Sequence, residues 1–249
     1  MTTDTGEYAP PPLPAPMSEV ARLAGVFFSP GKVFADIAQR PRWWAPVVIS
    51  ALATTAFLYE FSQRVGWELF FRQQSAQSLQ LQQMDAAARA RVETIQLAIA
   101  KYAAWVGGLA GPLMSAVVVA AVLLFFVNTV MGGGIKFKNM LAVVTYGMLP
   151  NVVRNLLAMV VMQLKPPDEF DLRNPVMVNA ALFLPGDASA WMRALAGSLD
   201  LFTFWSMALM AIGIAAGAKR MTTGKAFGML LFPWALLVIL QTAAAALQR

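Results

Sequence analysis

Arg154 is a charged residue inside a stretch of sequence that otherwise suits lipid. It interrupts the apolar block 139–164, and Pro150, Asn151 and Asn155 beside it are helix-breaking or polar. A charge at bilayer depth costs at least ~2.5–3.5 kcal/mol on insertion scales. Arg154 is therefore expected to face protein or water, or to snorkel outward. Pro150 has no N–H, which predicts a kink there and an unbonded carbonyl at Tyr146. Asp200, at the start of the block 201–218, is the nearest candidate counter-ion. The expected polar site inside the membrane is thus Arg154, Asn151, Asn155, Pro150 and Asp200. An Arg154–Asp200 pair would act as a structural clasp or as part of a substrate or ion path; unpaired snorkelling is the third reading.

Other chemistry is sparse. The chain has no cysteine and no histidine, which removes disulfides, thiolate chemistry and most zinc sites, and with them the commonest general base. Asp168, Glu169 and Asp171 read as a solvated acidic loop. Met159/Met162 and Met207/Met210 have a spacing that would suit soft metals, but without other soft ligands they read as packing residues. Gly217 and Gly224-Lys225 miss the phosphate-loop spacing, and Ala226 stands where Ser or Thr is needed. There is no nucleophile–base pair. The sequence predicts no enzyme, no cofactor and no metal.

The elements that must position Arg154 follow from composition. Of 249 residues, 58% are hydrophobic and 13% charged, with mean hydropathy +0.59. Soluble domains carry about a quarter charged residues. The apolar residues fall in five blocks, 43–59, 102–135, 139–164, 201–218 and 226–248, each near the ~20 residues that a membrane helix needs. Trp43, Trp44, Trp105 and Trp205 lie near block ends, as interfacial aromatics do. The expected fold is an all-α bundle of five transmembrane helices. The segment 176–184 is too short to span and reads as interfacial or re-entrant. Residues 61–104 are expected to hold helices outside the bilayer, with Asp85 capping one over 86–104. Gly107/Gly111 and Gly213/Gly217 match the small-residue spacing for close helix approach.

Ahead of the first block, residues 1–16 hold Pro10, Pro11, Pro12, Pro14 and Pro16 and predict a disordered tail. No apolar signal-peptide core is present there, so insertion is expected to rest on the first membrane helix. Residues 17–42 predict two short amphipathic helices. Ser18 is the first N-cap; Ser29 and Pro30 suit the N-cap and N1 of the second. The first would place Val20, Leu23, Ala24, Phe27 and Phe28 on one face, the second Val33, Phe34 and Ile37. Such a pair could lie in the interface plane or pack on the protein's own helices.

Orientation rests on lysine and arginine. Their raw number is equal on the two sides, so the short loops decide. Loop 132–138 carries Lys136 and Lys138, and loop 219–225 carries Lys219, Arg220 and Lys225, with no acid in either. This predicts a cytoplasmic N-terminus. The net charge of +6 reads as topology signal rather than nucleic-acid binding.

The chain resembles the bacterial type of Yip1-domain membrane proteins. The resemblance is carried by Phe28-Ser29-Pro30, Phe34, Ile37, Pro41, Trp43, Trp44 and Pro46. It continues in Phe137-Lys138-Asn139 and Tyr146-Gly147-Met148-Leu149-Pro150. It ends in Leu199-Asp200-Leu201-Phe202, Trp205, Gly213 and Lys225-Ala226. It covers roughly residues 20–245. It implies five spans over 43–249, a cytosolic N-terminus and an external C-terminus. Eukaryotic relatives act in vesicle traffic, bind Rab-type GTPases and bind each other; bacterial members lack that machinery. The resemblance brings no catalytic residues. Expected partners are the lipid bilayer and a membrane protein or a second copy, in the inner membrane of a bacterium. A small transporter or channel built around Arg154 is the alternative.

Overall fold

The structure, a computed structural model, describes residues 15–76, 83–172 and 174–247. The expected disordered tail lies almost wholly outside these residues. Among the described residues the regular structure is helical, with one isolated bridge between Asn179 and Asp200.

Two short helices come first, α1 (Glu19–Phe28) and α2 (Pro30–Gln39). Ser18 Oγ accepts the Ala21 N–H at 3.2 Å, as an N-cap does. Ser29 closes α1 through its N–H to the Gly25 carbonyl at 2.7 Å, and Pro30 opens α2. The face that α1 buries is the expected one only in part: Leu23 and Phe27 pack on the core. Val26 and Arg22 are buried, while Val20 and Phe28 are exposed. In α2 the expected residues, Val33, Phe34 and Ile37, are all fully buried. They pack on the protein's own helices, as the packing alternative expects.

The longer helices are α3 (Trp44–Arg64), α4 (Trp67–Ala76) and α5 (Ala86–Phe125), the last continued by a π-helical turn, Phe126–Val130. Asp85 Oδ1 accepts the Ala88 N–H at 2.8 Å and starts α5 where expected. At 1.5 Å per residue its 40 residues extend about 60 Å, twice the hydrocarbon thickness of a bilayer. The turn after it is pinned by Asn128, whose amide donates to the Ile135 carbonyl at 2.8 Å and accepts the Ile135 N–H at 2.9 Å. Gly132 and Gly134 both take φ +66°, which only glycine adopts readily.

The third apolar block divides into α6 (Phe137–Gly147) and α7 (Pro150–Leu164). After α7, short 3-10 turns and α8 (Ala190–Ser198) lead to α9 (Leu201–Gly217) and α10 (Thr223–Leu247). Leu182 and Phe183, within the short apolar segment, are exposed. Among the described residues, four helical segments are long and apolar enough to cross a membrane: Trp44–Arg64, Ala86–Val130, Phe137–Leu164 and Thr223–Leu247. The remaining block is the shorter apolar helix α9.

The core has two parts. The larger joins α1 and α2 to α5, α6, α9 and α10; the smaller centres on Phe61 and Met162 and joins α3 to α7 and Phe202. α2 lies against both α6 and α9. Gly213 makes this possible, because a Cβ there would sit 2.6 Å from Val143 Cγ1 and 2.8 Å from Phe34 Cδ1. On α5 the close approach to α3 falls at Gly108 rather than at Gly107 or Gly111: a Cβ on Gly108 would lie 3.1 Å from Thr55 Oγ1, and the other two have open space.

Candidate functional site

The polar stretch 150–155 begins at the break between α6 and α7. Pro150 occupies N1 of α7, where its missing N–H does no harm. The Tyr146 carbonyl is not left unbonded, since it accepts the Leu149 N–H at 3.2 Å. The chain rescues the proline break with a tight turn instead of leaving a bare carbonyl.

Asn151 and Asn155 come together on a cleft of about 310 Å³ between α3, α5 and the α6–α7 break. Ser50, Thr54, Ser115 and Thr145 supply its other polar groups, and it contains no charged residue. Asn155 Nδ2 donates to Thr54 Oγ1 at 3.1 Å and ties α7 to α3. Arg154 is half-buried and does not line this cleft. The expected pair with Asp200 is not formed: neither residue makes an ion pair among the described residues. Asp200 is buried and serves α9 instead. Its Oδ1 accepts the Thr203 N–H at 3.0 Å and the Thr203 hydroxyl at 3.3 Å, while Oδ2 is buried without a partner. An N-cap carboxylate already interacts with the positive end of its helix, so it needs no arginine. The five expected residues thus split into an Asn151–Asn155 cleft, a helix break, a helix cap and a separate arginine.

A denser polar cluster forms where α1, α2 and α6 meet. Arg22 is 1% exposed. Its Nε donates to Asp36 Oδ2 at 2.7 Å, and its Nη2 lies 2.5 Å from the same oxygen. Nη2 also donates to the Arg40 carbonyl at 3.1 Å, and Nη1 to Glu19 Oε1 at 3.4 Å. Arg40 reaches Asp36 Oδ1 at 3.3 Å, and Arg42 reaches Glu19 Oε1 at 3.2 Å. The Tyr146 hydroxyl, fully buried on α6, donates to Glu19 Oε2 at 2.7 Å. Burying a charge is costly unless it is paired and hydrogen-bonded, and the Arg22 guanidinium is bonded on every nitrogen. Sequence alone does not single out Arg22. The signal that could have singled it out is its place one turn before Val26, on the stripe that is buried.

Among the described residues no three histidine, cysteine, aspartate or glutamate side chains converge as metal ligands. The methionine pairs are packing residues: Met162, Met207 and Met210 are buried among apolar neighbours.

Comparison with known proteins matches residues 24–244 to the Yip1 domain. The chain is also similar to the membrane protein YknW of Bacillus subtilis (strain 168), 25% identical over 199 residues, covering 79% of this chain and 78% of that protein. No solved structure matches.

Proposed function

The chain belongs to the Yip1-domain family, and from that premise we propose that it works without catalysis, as a partner-binding or membrane-organising protein of a bacterial inner membrane. The reading includes five crossings, a cytoplasmic N-terminus and an external C-terminus. The length of α9 supports the fifth crossing: its 17 residues extend about 25 Å, and polar residues stand at both ends, Asp200 and Lys219-Arg220. A C-terminal reporter active only outside the cell checks the orientation; a silent reporter, beside an active cytoplasmic reporter fused at the same end, would overturn it.

One observation carries the partner reading. α5 is too long to lie within a bilayer, and its first half bears Arg89, Arg91, Glu93 and Lys101. That half stands outside the membrane and packs against α4. On it Ile95, Ile99 and Tyr102 are exposed, Tyr102 by 77%. They recur at helical spacing and continue into the exposed Val106 and Leu109 of the apolar half. An apolar stripe facing water marks an interaction surface. The transport alternative loses its main support, because the polar cleft does not include Arg154.

The chain contains no cysteine, so one introduced at Ile99 is unique. Crosslinking from it in native membranes should give an adduct of discrete mass, with a partner or with a second copy. Replacing Ile95 and Tyr102 with lysine in that variant should abolish the adduct without lowering the melting temperature. No adduct, or one indifferent to those lysines, would overturn the proposal.

A further inference from the structure

We propose that the cleft between the end of α2 and the start of α6 binds the phosphate headgroup of an anionic phospholipid. The cleft measures about 430 Å³ and is bounded by Gln39, Pro41, Gly134, Lys136 and Lys138, with Gly217 of α9 closing one side. A water molecule needs ~30 Å³, so a phosphate with part of its glycerol fits.

Charge selects the ligand. Lys136 and Lys138 are exposed, and neither ammonium forms an ion pair or hydrogen bond among the described residues. No acid lines the cleft. Asp36, three residues before Gln39 on α2, already holds Arg22 and Arg40 on its two oxygens. Asn139, which also lines the cleft, donates its amide to the Ala38 carbonyl at 2.8 Å and fixes α2 against α6. The second basic loop sits at the same end of the bundle, because the Lys219 N–H donates to the Gly133 carbonyl at 2.9 Å. Lys219, Arg220 and Lys225 therefore add to the potential without a compensating acid.

Position selects a lipid over a free anion. α6 begins one of the apolar membrane-crossing segments, so the cleft opens where that segment leaves the hydrocarbon. Basic pockets between membrane helices at this level suit phospholipid headgroups. The inference is independent of which partner meets α5.

The full chain in mild uncharged detergent is titrated with phosphatidylglycerol, with phosphatidylcholine and with inorganic phosphate, and its melting temperature followed. Phosphatidylglycerol should raise it saturably, and the other two should not. K136Q/K138Q should melt like the wild type without lipid and bind phosphatidylglycerol at least about tenfold more weakly, as the loss of two surface lysines implies. K136R/K138R should retain binding. Added salt should weaken the wild-type response, which keeps the test decisive if the glutamine variant fails to fold. Equal stabilisation by phosphatidylcholine or inorganic phosphate, unchanged binding by K136Q/K138Q, or a salt-independent response would each overturn the proposal.

Discussion

The Arg22 guanidinium holds the Asp36 carboxylate at 2.5 Å and so joins α1 to α2 inside the protein rather than on its surface. Removing one partner of a buried pair strands the other charge, at about 3–5 kcal/mol. R22A and D36A should each lose stability on that scale in chemical unfolding of the full chain in mixed micelles. Replacing the pair with apolar residues, R22M/D36L, should recover most of the loss, because Glu19 keeps Arg42 and the Tyr146 hydroxyl, and Arg40 is partly exposed. Wild-type stability in R22A would show that the pair does not hold α1.

Tyr146 links the same cluster to the membrane-crossing segment through Glu19. Y146F keeps the ring and its packing and removes only the hydroxyl bond of 2.7 Å. A hydrogen bond to a charged group contributes about 1.5–3 kcal/mol. Y146F should lose that much, and in the E19Q background the same substitution should cost less. Equal costs in both backgrounds would mean that the hydroxyl does not act through Glu19.

Local signals were legible wherever one residue decides one element. Ser18 and Asp85 cap their helices as their type and place imply, and Pro30 stands at N1, whereas Pro150 opens a new helix where a kink within one was expected. The lengths of the apolar blocks gave the long helices. The buried face of α1 was legible only in part: Leu23 and Phe27 pack on the core, but Val20 and Phe28 are exposed and the charged Arg22 is buried. Its choice is made by Asp36 and Tyr146, which belong to other helices. The pairing of Asn151 with Asn155 followed from helical spacing alone. The partner of Arg154 did not, since depth along a helix says nothing about which neighbour it meets. Asp200 was the nearest acid in sequence logic, but its own helix terminus claims it.

Gly213 sets how closely α2, α6 and α9 pack. G213A places a methyl against Val143 and Phe34, both of which are buried. Overpacking of this kind costs about 1–3 kcal/mol. G228A, in α10, meets no atom within 4 Å and removes only a flexible residue from a helix. It should leave stability unchanged or raise it by up to about 1 kcal/mol. Thermal unfolding of the two variants side by side separates crowding from helix propensity, and equal behaviour would deny Gly213 its packing role.

Arg154 and Asp200 do not touch, so their energies should add. D200A removes the cap that accepts the Thr203 N–H and should cost about 0.5–2 kcal/mol. R154M removes a charge that has no ion-pair partner among the described residues, and its cost should be the same whether position 200 is aspartate or alanine. Independent sites add within about 0.3–0.5 kcal/mol, so the double-mutant cycle should return a coupling no larger than that. A coupling well beyond it would restore the ion pair and place Asp200 in a polar path through the bundle. A null result would fix Asp200 as a helix cap and leave Asn151 and Asn155, on their cleft between α3 and α5, as the polar groups that a small molecule entering the bundle would meet.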